Sequence, residues 1–107
     1  MRVPGKRVSD TDALKAPGDF VFEDARGEAT TEPAKAFSLV FACPTTGRWC
    51  GGIRIGVKAK PPHGPSWEWD GNLDQPTLAP SINCVGGCKW HGFLRKGVWV
   101  DGKDTKS

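Results

Sequence analysis

Five side chains in two short stretches carry the most distinctive chemistry of this sequence. The first stretch is Cys43-Pro44-Thr45-Thr46-Gly47-Arg48-Trp49-Cys50-Gly51-Gly52; the second is Cys84-Val85-Gly86-Gly87-Cys88-Lys89-Trp90-His91-Gly92. Zinc takes four soft or borderline ligands in a tetrahedron, and two turns that each contribute a pair can supply them. Glycines beside the ligands let the backbone fold closely around an ion. Five candidates compete for four places. Cys88 and His91 form the strongest pair, Cys43 at a strand end follows, Cys50 is the fourth choice and Cys84 the spare. The interval from Cys43 to Cys50 is wider than that of a usual zinc turn. Disulfides are the competing use of the same cysteines, and they require an oxidising compartment.

Other catalytic patterns are incomplete. Cys88-Lys89-Trp90-His91-Gly92 shares C-x-x-H-G with half of a Rieske iron–sulfur motif, which also needs an upstream C-x-H. The remaining histidine, His63, lies in Pro61-Pro62-His63-Gly64-Pro65 with no cysteine beside it. Zinc deaminases pair the metal with the glutamate of an H-x-E motif, and no H-x-E occurs here. Glu68 and Asp70 share one strand face, about 7 Å apart by strand geometry, and read as two solvated acids. The residues therefore name no catalytic group. A closed structural zinc site in a protein that is not an enzyme is the expectation.

These ligands need turns and strands to position them. The 107 residues suit one domain, and Gly 14 with Pro 9 favours short strands and many turns over a helical bundle. Small domains with modest cores commonly use a disulfide or metal as a staple. Strands are expected at residues 19–23, 37–42, 52–57 and 66–70, with an edge or irregular segment at 77–79 between Pro76 and Pro80, and residues 81–83 lead into the cysteine-rich loop. Residues 92–95 and 98–100 read as a hairpin turning at Lys96-Gly97. A short helix near residues 12–15 is the one helical signal. The expected organisation is an extended N-terminal arm over residues 1–36, a zinc-binding β-domain over 37–101 and a solvated tail over 102–107. The fold class is mainly β: a small zinc-stapled antiparallel sheet, zinc-ribbon-like.

A net charge of +3 is mildly basic, and the Lys and Arg residues are scattered among acids, which does not favour a nucleic-acid partner. No apolar run reaches a membrane span, and the N-terminus lacks the apolar core of a signal peptide. Reduced thiols in a cytosol are the corresponding expectation. Five Trp in one small chain read first as packing around the metal loops, with Trp67 and Trp69 on one strand face.

From Leu39 to Val100 the chain resembles a family of small uncharacterised proteins of tailed phages and prophages, some mislabelled as ammonia monooxygenase. The residues that carry the likeness are Cys43-Pro44, Cys50-Gly51, Trp67-Glu68-Trp69-Asp70-Gly71, the run from Gln75 to Ile82, and Cys88-Lys89-Trp90-His91-Gly92-Phe93 with Arg95-Lys96-Gly97-Val98. The resemblance implies a zinc-binding β-module with Cys43, Cys50, Cys88 and His91 as ligands of a structural Zn2+. It implies no reaction. Some relatives sit near ubiquitin-like conjugation genes, which points to protein partners. The expected function is a non-catalytic, zinc-stabilised interaction module of phage origin: a virion-associated structural or decoration protein whose arm lies on neighbouring virion subunits. A phage regulator that binds a host protein, or a nucleic-acid-binding zinc ribbon, are the alternatives. Its expected place is the cytoplasm of a bacterial host, or the virion, with no membrane association.

Overall fold

A computed structural model describes residues 2–58, 61, 65–83 and 90–102. Cys84, Cys88 and His63 lie outside the described residues. The strands are β1 (Arg2–Pro4), β2 (Lys6–Arg7), β3 (Asp19–Glu23), β4 (Ser38–Ala42), β5 (Trp49–Val57), β6 (Trp67–Trp69), β7 (Leu78–Ala79), β8 (Ile82–Asn83), β9 (His91–Arg95) and β10 (Val98–Asp101). They form a four-stranded sheet in the order β1-β10-β9-β8 and a six-stranded sheet in the order β2-β3-β4-β5-β6-β7. Helical structure among the described residues is confined to two 3-10 turns, Thr11–Ala13 and Pro33–Lys35.

Strand alternation explains which side chains enter the core. In β3, Phe20 and Phe22 point inward and are fully buried, as are Leu39 and Phe41 on the paired strand β4. Ile53 and Ile55 continue the inner face on β5, and Trp69 adds to it from β6. The four-stranded sheet answers with Ile82, Leu94 and Trp99, so one apolar cluster spans both sheets. Trp99 stacks on Phe41 across the interface, with ring centroids 4.7 Å apart. Trp69 lies tilted on Phe22 at 4.6 Å. Full burial of such side chains stabilises by roughly 1.5–3 kcal/mol each.

The mainly β expectation holds, but a single antiparallel ribbon is not what forms. There are two sheets, and β2–β3 and β5–β6 are parallel pairs. Residues read as an arm supply strands to both sheets: β1 pairs with β10, and β2 and β3 extend the six-stranded sheet. Asp19, buried at the start of β3, has its carboxylate satisfied by the backbone N–H groups of Lys15 (3.2 Å) and Ala16 (3.0 Å).

The β9–β10 hairpin closes as its sequence suggests. Lys96 and Gly97 both have positive φ, 49° and 79°, the backbone of a tight primed turn that matches strand twist. Lys96 N–H donates to Thr77 Oγ1 at 2.8 Å and Gly97 N–H to the Pro76 carbonyl at 2.9 Å. These bonds tie the hairpin to the residues just before β7, where the chain enters the segment that runs through β7 into β8.

Candidate functional site

That segment changes sheets. β7 is the edge of the six-stranded sheet and β8 the edge of the four-stranded one, with only Pro80 and Ser81 between them. Prolines fit here because an edge strand does not need every backbone donor. Ser81 is held at the corner by Trp67, whose indole N–H donates to the Ser81 carbonyl at 2.9 Å. Ile82 follows, fully buried. Alternation then turns Asn83 to the opposite, outer face, where it is exposed; Ser81 lies just before β8 and is half-buried, on the same side as Asn83 when the alternation is carried back two residues.

β9 brings His91 to the same face. The β8–β9 register pairs Ile82 with Gly92 and Asn83 with His91. Gly92 and Leu94 face inward, while His91, Phe93 and Arg95 face outward. Asn83 is thus the direct cross-strand neighbour of His91, and the same register carried back one residue beyond β8 puts Ser81 on the diagonal from His91. Diagonal positions on an antiparallel pair stand roughly 7–8 Å apart, within reach of a long side chain. Gly92, beside His91, leaves no room for a side chain. A Cβ there would strike the Val100 carbonyl oxygen and stand 2.6 Å from the Trp90 ring. The Nδ1 edge of His91 lies at the end of β10, 3.5 Å from where a Cβ on Gly102 would sit.

A serine, an asparagine and a histidine on one solvent-facing patch have a definite chemical capacity. Histidine can take a proton from a serine hydroxyl, and an amide N–H can stabilise the oxyanion that follows attack on a carbonyl. No hydrogen bond joins Ser81 to His91 in the free chain, as is common for catalytic pairs before substrate tightens them. The other described serines lack this setting. Ser66 is buried and donates to the Pro61 carbonyl at 2.9 Å, and Ser9 and Ser38 lie on other strands or loops.

The four residues expected to hold zinc are placed very differently. Cys43 follows β4 and is fully buried in the core cluster, with a free thiol. Cys50 lies in β5 at the irregularity of the β4–β5 ladder and is disulfide-bonded, so its sulfur is not a thiolate. His91 is exposed on the outer face of the other sheet, and Cys88 and the spare Cys84 are outside the described residues. Among the described residues no three His, Cys, Asp or Glu side chains gather as a metal site. Asp70, one of the paired acids, holds a turn, its Oδ1 accepting from the Asn72 and Thr77 N–H groups at 3.0 and 3.2 Å.

Cys43 is the one thiol whose setting is fully described. Burial pushes its pKa up, but hydrogen bonds from the side chains and backbone of Thr45 and Thr46 outweigh that and leave it below the ordinary thiol value. Its Sγ lies 3.0 Å from Thr45 Oγ1. Reactivity needs access as well as thiolate character, and Cys43 has no exposed surface. Iodoacetamide is therefore expected to leave Cys43 unmodified in the native chain and to modify it after denaturation, read by peptide mass mapping. Rapid native labelling would contradict the burial.

Sequence reasoning passed over Ser81 and Asn83. Ser81 lies in the stretch from Gln75 to Ile82 that carries the resemblance, where sequence reasoning gives it no role beyond leading into the cysteine-rich loop. The available signal was that Ser81-Ile82-Asn83 and His91 flank one cysteine-rich loop, so that pairing of the flanks brings them onto one face.

A family model described as "BubE: Bacterial ubiquitination-like system serine protease (BubE)" matches residues 11–101. No curated protein and no solved structure matches the chain. The family match overturns several expectations. The family is not the phage zinc-binding family that the sequence resembled, and its description as a serine protease contradicts a chain that is not an enzyme. A virion structural or decoration protein, a phage regulator of a host protein and a nucleic-acid-binding zinc ribbon fall with it. The physical reason for the error is that two cysteine-rich turns were weighed as ligands, while the hydroxyl beside them was not weighed as a nucleophile. Among the described residues no helix is long and apolar enough to cross a membrane. With residues 11–101 of the 107 under one model, the chain belongs to the BubE family, the serine proteases of bacterial ubiquitination-like systems.

Proposed function

We propose that this chain is a serine peptidase acting on a polypeptide of a ubiquitination-like system, with Ser81 as nucleophile and His91 as general base. The observation that carries the reading is the β8–β9 register, which pairs Asn83 with His91 and, carried back to the residue before Ile82, puts Ser81 on the diagonal from His91. The family description supplies the reaction class.

The steps follow from the residues. Ser81 Oγ attacks the scissile carbonyl carbon while His91 takes its proton. The carbonyl oxygen becomes an oxyanion, and the Asn83 side-chain N–H, on the same face, donates to it. His91 then protonates the leaving amine, the C–N bond breaks, and the acyl group stays on Ser81. Water, deprotonated by His91, attacks the ester, releases the carboxylate product and restores the serine. No carboxylate among the described residues bonds His91. Its Nδ1 lies close to Gly102, just past the end of β10.

The test is a fluorophosphonate probe, which traps an activated serine. Labelling of the full chain is expected to map to Ser81 by peptide mass analysis and to be lost in His91→Ala. Labelling of another serine, or none at all, would overturn the assignment. A structural zinc on Cys43, Cys50, Cys88 and His91, which requires the disulfide at Cys50 to be reduced first, is a competing proposal, and metal analysis of the same sample decides between them. One equivalent of zinc whose retention requires His91 would occupy the imidazole that the peptidase needs.

A further inference from the structure

Next to this site runs a groove of about 520 Å³, within the usual range for ligand sites. Its lining includes Gly52, Ile53 and Arg54, with Phe41, Trp67 and Asn83 around them. Successive strand residues point to opposite faces, so three in a row line one groove only where the groove meets the strand's edge. The hydrogen-bond pattern agrees. Ile55 N–H donates to the Phe37 carbonyl at 3.1 Å, so Ile55 and Ile53 turn their backbone groups toward β4. Gly52 and Arg54 turn theirs to the other side. There β6 pairs with β5 only from Ile55 onward. Among the described residues nothing pairs with the Gly52 N–H and C=O or the Arg54 N–H.

A bare edge beside a catalytic pair is a template for an added strand. Two further features say what would add. The groove is continuous with the candidate site, because Trp67 lines it and also bonds the Ser81 carbonyl, and because Asn83 lines it two residues from Ser81. Among the described residues Arg54 also has no acidic partner. Its guanidinium stacks 3.8 Å over Phe37, and its Nε is buried with no hydrogen-bond acceptor. An unpaired buried donor on a cation favours a carboxylate.

We propose that the edge of β5 at residues 52–54 is the docking strand for an extended segment of the substrate polypeptide, with an acidic side chain of that segment on Arg54. This rests on Ser81 as the nucleophile. Backbone pairing to Gly52 and Arg54 supplies register, the apolar walls of Phe41, Ile53 and Trp67 take an apolar neighbour, and the segment leads past Asn83 to Ser81.

The experiment is amide hydrogen exchange by NMR on the 15N-labelled full chain carrying Ser81→Ala, which binds without turnover. The probes are synthetic decapeptides with Glu, Lys, Leu or Gly fixed at each position in turn. In the free chain the Gly52 and Arg54 amides are expected to exchange on the order of 100-fold faster than those of Ile53 and Ile55. Glu-fixed peptides are expected to slow them, and adding Arg54→Glu is expected to shift the preference to Lys-fixed peptides by about tenfold. The proposal is overturned if these amides are already as protected as Ile53. It is equally overturned if no peptide slows them, or if the acidic preference survives Arg54→Glu. Fluorophosphonate capture on the unmodified chain reads the Ser81 assignment separately, so failure of the groove and failure of the nucleophile are told apart.

Discussion

Ser81→Ala is expected to lower kcat for peptide hydrolysis by at least about 10³-fold, equal to roughly 4 kcal/mol of lost transition-state stabilisation. The substitution removes the atom that forms the acyl bond, and among the described residues no other serine shares a face with His91. His91→Ala is expected to be comparably damaging, because the hydroxyl then has no base. Residues that act as a unit are strongly non-additive, so the double variant should be hardly worse than either single one. Asn83→Ala should lower kcat by about 10²-fold with KM little changed, since an oxyanion donor works chiefly in the transition state. Cys43→Ala serves as the control for a thiol mechanism. Cys43 has a depressed pKa but is sealed in the core, so its loss should reduce stability and leave the rate of the folded fraction unchanged. The measurement is steady-state cleavage of the synthetic decapeptide library by each purified variant, with circular dichroism to confirm folding. Ser81→Ala that retains more than a tenth of the rate would remove Ser81 from the mechanism. Additive losses in the double variant would show that Ser81 and His91 do not act as a pair.

Local signals in the sequence reached much of the fold and little of the site. Asp19-Phe20-Val21-Phe22-Glu23 alternates cleanly because one face packs on β4, and β3 occupies those residues. The Lys96-Gly97 turn was legible because only a backbone tolerant of positive φ closes so tight a hairpin. β1 and β2 were not legible. Each has three residues or fewer, too short for a period, and each exists only because a distant strand offers its edge. The parallel pairing of β5 with β6 also depends on where the connecting chain returns, which composition does not encode. The site failed for a related reason. Ser81 and His91 are ten positions apart in sequence, and only the β8–β9 register places them on one face. A half-buried serine between proline and isoleucine carries no periodic or charge signature. The cysteines, by contrast, drew attention because their residue type is rare and their chemistry conspicuous. Cys50 is disulfide-bonded while its sequence neighbour Cys43 is a free thiol, so spacing alone did not show how the cysteines are used.

The proposed catalytic face depends on how firmly the four-stranded sheet is held to the six-stranded one, and Trp99 is the side chain on which that attachment turns. Trp99 is fully buried, stacks on Phe41 of the other sheet, meets Trp90 edge-on at 5.6 Å and donates its indole N–H to the Gly18 carbonyl at 2.8 Å. Trp99→Ala removes all of these at once and leaves a cavity, at a cost of about 3–5 kcal/mol. A domain of this size has only about 5–15 kcal/mol of net stability, and the melting temperature should fall by about 12 °C or more. Trp99→Phe separates the two contributions. It keeps most of the stacking but leaves the Gly18 carbonyl unsatisfied, a loss of about 1–3 kcal/mol. Thermal unfolding followed by circular dichroism orders the variants: wild type above Trp99→Phe, above Trp99→Ala. Because β9 pairs with β10 through Leu94 opposite Trp99, the same lesion loosens the strand that carries His91. Fluorophosphonate labelling of Ser81, measured well below each melting point, should therefore be near normal in Trp99→Phe and reduced in Trp99→Ala. A Trp99→Ala chain within about 1 kcal/mol of wild type would show that the two sheets hold together without this contact. The catalytic face would then owe its geometry to β8 and β9 alone.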